Sequence, residues 1–223
     1  KYSVFYTILQ QRLKIVWGFV FLMLELKIVR ALEKMAVFSL SDVSKITGSR
    51  NYSKQLLSRL VKNGTITHFF RDKYSFHSDA LIVAGFLQPP SYVSCASALS
   101  FYGLISQMPK AVFVMTAKRA KTINYSTPII FHSTKHFFGF NQVEINGFKI
   151  PMAEPEKAFI DSVGIHPIGL IIDALSELNQ EKLLHYARKH NQLKRIGYLL
   201  EKKAPKIKKM PISSKYIFLD PLG

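Results

Sequence analysis

Apolar positions Leu24, Ile28, Val29, Leu32 and Met35/Ala36 recur at helical spacing with charges on the other face, which predicts a helix over residues 24–36. Phe38 then leads into Ser39-Leu40-Ser41-Asp42, where Ser41 or Ser39 is a natural cap for a short helix over Asp42–Ile46. Gly48 stops that helix, as glycine does at a left-handed C-terminal position. Ser49-Arg50-Asn51 opens another helix running to about Lys62, and Asn63-Gly64 ends it with the strongest short turn signal in the chain. Two strand-like runs follow, Thr65–Phe70 and Tyr74–His77, joined by the polar turn Arg71-Asp72-Lys73.

Helix, short helix, glycine turn, helix and β-hairpin is the order of a winged helix-turn-helix. Residues 79–87 (DALIVAGFL) read as a linking helix or strand, closed by Pro89-Pro90, where a domain boundary is placed. The texture then changes. Tyr92–Tyr102 reads as a helix with many small residues, and Val112–Met115 and Ile129–His132 read as strands. Val143–Ile145 and Phe148–Ile150 flank Asn146-Gly147, a hairpin by its turn chemistry. Helices are expected over Glu154–Val163, Gly169–Leu178, Gln180–His190 and Gln192–Lys202. The expected fold class is therefore α+β: an N-terminal winged helix-turn-helix domain followed by a mixed α/β C-terminal domain with a helical end. The expected divisions are a helical extension over 1–22, the DNA-binding domain over 23–78, a linker over 79–90, the second domain over 91–203 and a basic tail over 204–223.

Composition narrows the partners. With 48% hydrophobic residues the chain carries ample apolar surface for a core, which excludes a disordered or low-complexity protein. Lys and Arg number 31 against 14 Asp and Glu, a net charge of +17 with histidines neutral. Such an excess asks for an anionic partner: nucleic acid first, an anionic membrane second, an acidic protein third. Ile15–Leu24 is the most hydrophobic run, but its ten residues are about half of what a spanning helix needs. No small-residue cleavage site follows it, so a buried helix is expected there rather than a signal or anchor, and no membrane partner. One cysteine, Cys95, excludes an intrachain disulfide framework and any Cys-rich zinc site. A reducing, cytoplasmic setting fits that usage.

The helix from Asn51 to about Lys62 carries the candidate binding chemistry. Leu56, Leu57, Leu60 and Val61 fall on one side with Ser53, a face to pack on the preceding helices. Asn51, Gln55, Ser58 and Lys62 fall opposite, flanked by Lys54 and Arg59, and no acid interrupts them. Asn and Gln pair bidentately with adenine and Arg with guanine, whereas Lys and Ser usually take phosphate. The N-terminal residues of such a helix lie nearest the bases, which favours Arg50, Asn51, Lys54 and Gln55. The wing tip, with Arg71 and Lys73, reaches an adjacent groove or phosphate. The alternative for the same pattern is an ordinary solvated face. The expected partner is double-stranded DNA.

Other residue groups suggest chemistry and have simpler explanations. Glu154, Lys157 and Asp161 would share a helix face, and with Glu156 they suggest a Mg²⁺-dependent nuclease. The same spacings are those of ordinary helix ion pairs, and Glu154-Pro155-Glu156 makes a good acidic first turn. His132 and His136 are four apart, but no nearby acid or cysteine completes a metal site. Cys95 lies in an apolar helix and is expected as a buried thiol. No Gly-rich phosphate loop is present. No catalytic residue, metal or cofactor is therefore expected, and the chain is expected not to be an enzyme. A basic run from Lys194 to Lys215 is interrupted by one acid, Glu201, and suits a second nucleic-acid contact, an acidic partner or plain solvation.

Taken in order, these stretches resemble the AbiEi-type antitoxins of abortive-infection and type IV toxin–antitoxin systems. The resemblance runs from about residue 24 to about 203. It includes LLSRLVKNGTI (56–66), SYVSCASALSFYGLI (91–105), FKIPMAEPEKAFIDSV (148–163) and LLHYARKHNQLKRIGYLLEK (183–202). It implies an N-terminal domain that represses its own operon and a C-terminal domain that antagonises a nucleotidyltransferase-type toxin, an antagonism that need not involve contact. It also implies cooperative binding at inverted repeats, with which a homodimer is compatible. The alternatives are a winged-helix regulator without a toxin, its second domain serving dimerisation or ligand sensing, and the nuclease built on Glu154 and Asp161.

Overall fold

The structure, a computed structural model, describes residues 23–203; the expected extension over 1–22 and the basic tail over 204–223 lie outside the described residues. The chain divides into two compact units between Ser78 and Asp79. The fold class is α+β.

In the first unit, helix α1 covers residues 23–33. Strand β1 (Phe38–Ser39), helix α2 (Leu40–Thr47) and helix α3 (Arg50–Lys62) follow, then strands β2 (Thr67–Phe70) and β3 (Lys73–Ser75). The three strands form an antiparallel sheet in the order β1-β3-β2. Ser39 caps α2: its hydroxyl accepts from the Asp42 amide at 3.3 Å, while the Asp42 carboxylate accepts from the Ser39 amide at 2.9 Å. The helix therefore begins at Leu40, ahead of the start that a cap at Ser41 would give. Gly48 ends it with φ of 72°, a left-handed conformation in which a β-carbon is strained. Ser49 caps α3, and the Ser53 hydroxyl donates to the Ser49 carbonyl at 2.7 Å, which tightens the turn between the two helices. The core is Ile28, Leu32, Phe38, Val43, Leu56, Leu57, Leu60 and Ile66. Ser75 locks the sheet to the segment between α1 and β1 through a buried 2.7 Å bond from its hydroxyl to the Ala36 carbonyl.

The second unit is built on a six-stranded mixed sheet in the order β6-β7-β5-β4-β9-β8. Its strands are β4 (Ser91–Val93), β5 (Val112–Thr116), β6 (Lys121–Ile123), β7 (Ile129–Ser133), β8 (Phe140–Ile145) and β9 (Phe148–Ala153). β4 pairs parallel to β9 and β5 parallel to β7; the other three pairings are antiparallel. Asn146 and Gly147 turn the β8–β9 hairpin with φ of 50° and 82°, the positive values that this turn demands. The stretch 79–90, expected as a linker, is folded into this unit: Asp79 caps helix α4 (Ala80–Leu87), whose apolar sides pack on β4 and β9. The approach is close enough that a β-carbon at Gly85 would lie 2.8 Å from Ile150 Cγ2.

Tyr92, expected inside a helix, is instead the middle of β4; the helix, α5, covers Cys95–Phe101. Helix α6 (Pro155–Ser162) is buried from Glu156 onward. Helix α7 (Ile168–Ile171) runs into a 3-10 turn over Ile172–Ser176, and helices α8 (Gln180–Lys189) and α9 (Leu193–Lys203) close the described chain. Among the described residues no helix is long and apolar enough to cross a membrane.

Candidate nucleic-acid interface

The buried side of α3 is Ser53, Leu56, Leu57 and Leu60, which sit in the core beneath α1 and α2. Val61, expected on that side, is 37% exposed and lies in the last turn of α3. Arg50, Asn51, Lys54, Gln55, Ser58, Arg59 and Lys62 are all exposed. The structure thus presents the whole set of helix residues singled out from the sequence on one continuous open surface.

That surface has relief. On one side of α3 lies a groove of about 430 Å³, lined by Leu40, Lys54, Leu57, Ser58, Val61, Lys62, His68 and Tyr74. On the other lies a groove of about 580 Å³, lined by Tyr52, Lys54, Gln55, Ser58 and Arg59. Glu25 of α1 accepts from Arg59 Nη2 at 3.1 Å, both side chains partly open to water. Arg59 is therefore engaged in an exposed ion pair, of a type that contributes little to stability.

The β2–β3 hairpin stands beside the first groove. Its tip holds Arg71 at φ of 46°, with the guanidinium carbon 5.3 Å from the centre of the Phe70 ring. Arg71 is exposed, whereas Lys73 is half-buried and turned toward α2. Lys73 and Lys45 help hold the Asp42 carboxyl below its ordinary range: burial works upward, and the bonds from Ser39 and the two lysine charges outweigh it. His68 donates from Nε2 to the Arg71 carbonyl, and its ring stacks on Tyr74 at 4.7 Å. Burial and the neighbouring Asp72 push the Tyr74 phenol up, so it stays a neutral hydroxyl. Sequence reasoning missed Tyr52, His68 and Tyr74. The signal available for the last two was cross-strand pairing, since His68 and Tyr74 stand directly opposite one another.

The carboxylates of the second unit have a different arrangement. Asp161 is 4% exposed and accepts from the Ser94 hydroxyl at 2.7 Å and the Tyr92 hydroxyl at 3.1 Å. Lys157, fully buried, is its ion-pair partner, and His190 Nε2 stands 3.3 Å away. The Gln192 side-chain amide lies 3.2 Å from His190 Nδ1. Burial pushes the Asp161 carboxyl up, but His190, Lys157 and Ser94 outweigh it and hold it below the ordinary carboxylate range. Glu154 instead faces Asn141 at 2.8 Å, Lys182 at 3.2 Å and the Tyr186 hydroxyl. Glu156 accepts from the Asn179 amide at 3.2 Å and lies 3.4 Å from Lys182. The lysine and carboxylates of α6 are thus divided between two internal sets of partners.

The two histidines weighed as a metal pair part company. His132 stacks on Phe113 at 6.1 Å, while the His136 ring lies 4.1 Å from that of His190. Among the described residues no three His, Cys, Asp or Glu side chains come together to hold a metal ion. Cys95 is fully buried at the strand–helix junction with φ of 55°, and burial together with the Asp161 charge pushes its thiol up. Of the basic run, Lys194, Arg195 and Lys202 are exposed on α9, and Lys203 reaches the Ile172 carbonyl.

No family model matches the chain, and no curated protein matches it.

Proposed function

We propose that this chain is a non-enzymatic, sequence-specific regulator of transcription that binds double-stranded DNA through a winged helix formed by residues 23–78. The observation that carries the reading is the exposed face of α3, where Arg50, Asn51, Lys54, Gln55 and Ser58 stand together without a carboxylate among them. In this reading α3 is the recognition helix. Arg50, Asn51 and Gln55 address base edges, and Lys54, Ser58, Arg59 and Lys62 address phosphates. The β2–β3 hairpin is the wing, with Arg71 at its tip. The net charge of +17 supplies the long-range attraction.

The same proposal assigns the second unit to antagonism of a nucleotidyltransferase-type toxin and makes the chain the repressor of its own operon in the cytoplasm. Support comes from the motifs that resemble AbiEi-type antitoxins. SYVSCASALSFYGLI supplies Tyr92 and Ser94, FKIPMAEPEKAFIDSV supplies Lys157 and Asp161, and these four side chains meet in one buried cluster. Motifs far apart in sequence thus form a single packing unit.

A gel shift on the DNA upstream of the gene, at stated salt, tests the first part. Arg50→Ala with Gln55→Ala should abolish sequence preference and weaken binding; unchanged selectivity would remove α3 from DNA reading. Co-expression with the neighbouring toxin gene tests the second part. Relief of growth arrest is expected, and its failure would leave a winged-helix regulator without a toxin.

A further inference from the structure

The six-stranded sheet of the second unit ends in two unlike edges. At one, β6 is three residues long, and Lys118, Arg119 and Lys121 stand on or beside it. Short length and basic side chains are common protection of an edge against further pairing. At the other, β8 runs for six residues with no lysine, arginine or proline and no break in its register with β9. Its hairpin has a two-residue loop, so Ile145 and Phe148 form the closing hydrogen-bonded pair, and the pattern alternates from there. Asn141 and Val143 therefore turn their amides and carbonyls inward to β9. Phe140, Gln142 and Glu144 turn theirs outward, away from the sheet.

The two faces at this edge differ as well. Val143 and Ile145, both half-buried, stand opposite Ile150 and Phe148, on the side where Gly85 of α4 meets Ile150. Phe86 of α4 is 39% exposed and meets the Phe148 ring edge-on at 6.3 Å. A half-covered apolar row thus borders the edge. Gln142 and Glu144 lie exposed on the opposite face, with Lys149 across from Glu144.

We propose that β8 pairs antiparallel with β8 of a second copy of this chain, joining the two sheets into one. This stands on the second unit alone and is independent of the DNA-binding reading. The two-fold axis of such a pairing is normal to the sheet, so the apolar face continues as apolar and the polar face as polar. Centred on Val143, the register sets Val143 against the partner's Val143 and Gln142 against the partner's Glu144. Gln142 and Glu144 then exchange backbone hydrogen bonds at two symmetric places. Centring on Glu144 instead would set two carboxylates directly opposite each other, which is unfavourable. Charge also selects this edge. Each chain carries +17, and pairing through β6 would press the basic groups of two copies together, whereas β8 brings up one acid and no base.

The experiment is sedimentation equilibrium of the full chain, without nucleic acid, over a range of concentration and salt. A monomer–dimer equilibrium is expected. It should tighten as salt rises, because screening relieves the repulsion between two cationic chains. Gln142→Glu places a carboxylate against the partner's Glu144 and should weaken the dimer by about fivefold; Gln142→Lys should tighten it by about as much, since each change acts twice per dimer. Both substitutions are at an exposed position. Val143→Cys brings two thiols together at a non-hydrogen-bonded pair, where α-carbons are about 4.5 Å apart, so a mild oxidant should cross-link the dimer. Ile145→Cys should not cross-link, because residue 145 faces Asn141 of the partner subunit. Cys95 is fully buried and does not compete. A chain that stays monomeric at every concentration and salt overturns the proposal. So does a dimer that ignores both Gln142 substitutions, or one that leaves Val143→Cys uncrosslinked, since its contact lies elsewhere.

Discussion

Asp161 shows how much one side chain can organise. It is buried, charged, and accepts from residues of β4, the β4–α5 junction and its own helix, with His190 at the end of α8 3.3 Å away. Lys157 is buried with it, and a buried charge is tolerable only while its partner remains. Asp161→Asn is therefore expected to destabilise the second unit by about 3–5 kcal/mol, read from its chemical denaturation midpoint. The same residue gives an acid limb. Its carboxyl titrates lower folded than unfolded, so its contribution is complete above the ordinary carboxylate range and is lost as pH falls from that range through the lower folded value. The Asn variant should lack that part of the pH dependence. Three imidazoles act at higher pH. Burial lowers His132, His136 and His166, with His190 adding to it at His136 and His132 at His166. Each takes its proton more readily unfolded, so stability should decline as pH falls through the ordinary histidine range. A melting temperature unchanged across that range would contradict this.

At the level of elements, the helices of the first unit are set by residues that stop or start them. Ser39→Ala removes the hydroxyl that receives the Asp42 amide and should cost about 1 kcal/mol of first-unit stability in a urea titration. Gly48→Ala should cost about 1 kcal/mol as well, since nothing crowds the position and the penalty is the left-handed backbone alone. These positions were legible in the sequence because serine caps, Gly48, Asn63-Gly64 and Asn146-Gly147 act on the backbone within a few residues of themselves. The elements that were not legible owe their existence to partners. Strand β1 is two residues long and exists only by pairing with β3, and β6 is three residues held by β7. Tyr92 reads as helical beside small residues, yet its place is set by β5 and β9 on either side of β4. The same division holds in the candidate site. The exposed face of α3 follows from periodicity, whereas Val61, His68 and Tyr74 join it through tertiary neighbours, and the Arg59–Glu25 pair links residues that are far apart in the chain.

Across the whole molecule, charge and thiol chemistry are distributed unequally. The excess of 31 basic over 14 acidic residues makes ionic strength the main external control on any contact with phosphate. Each unit has its own buried apolar set, so a core substitution in one is expected to lower that unit's unfolding midpoint and leave the other's in place. Cys95 offers a way to observe this. It is the sole sulfhydryl in the sequence, sealed at the heart of the second unit and held protonated by its surroundings. An alkylating reagent should therefore ignore the intact protein, and its uptake under mild denaturant should keep time with the opening of that unit alone. Rapid modification without denaturant would refute such shielding. The chain thus carries a natural single-site stopwatch for its second unit, one that needs no engineered label.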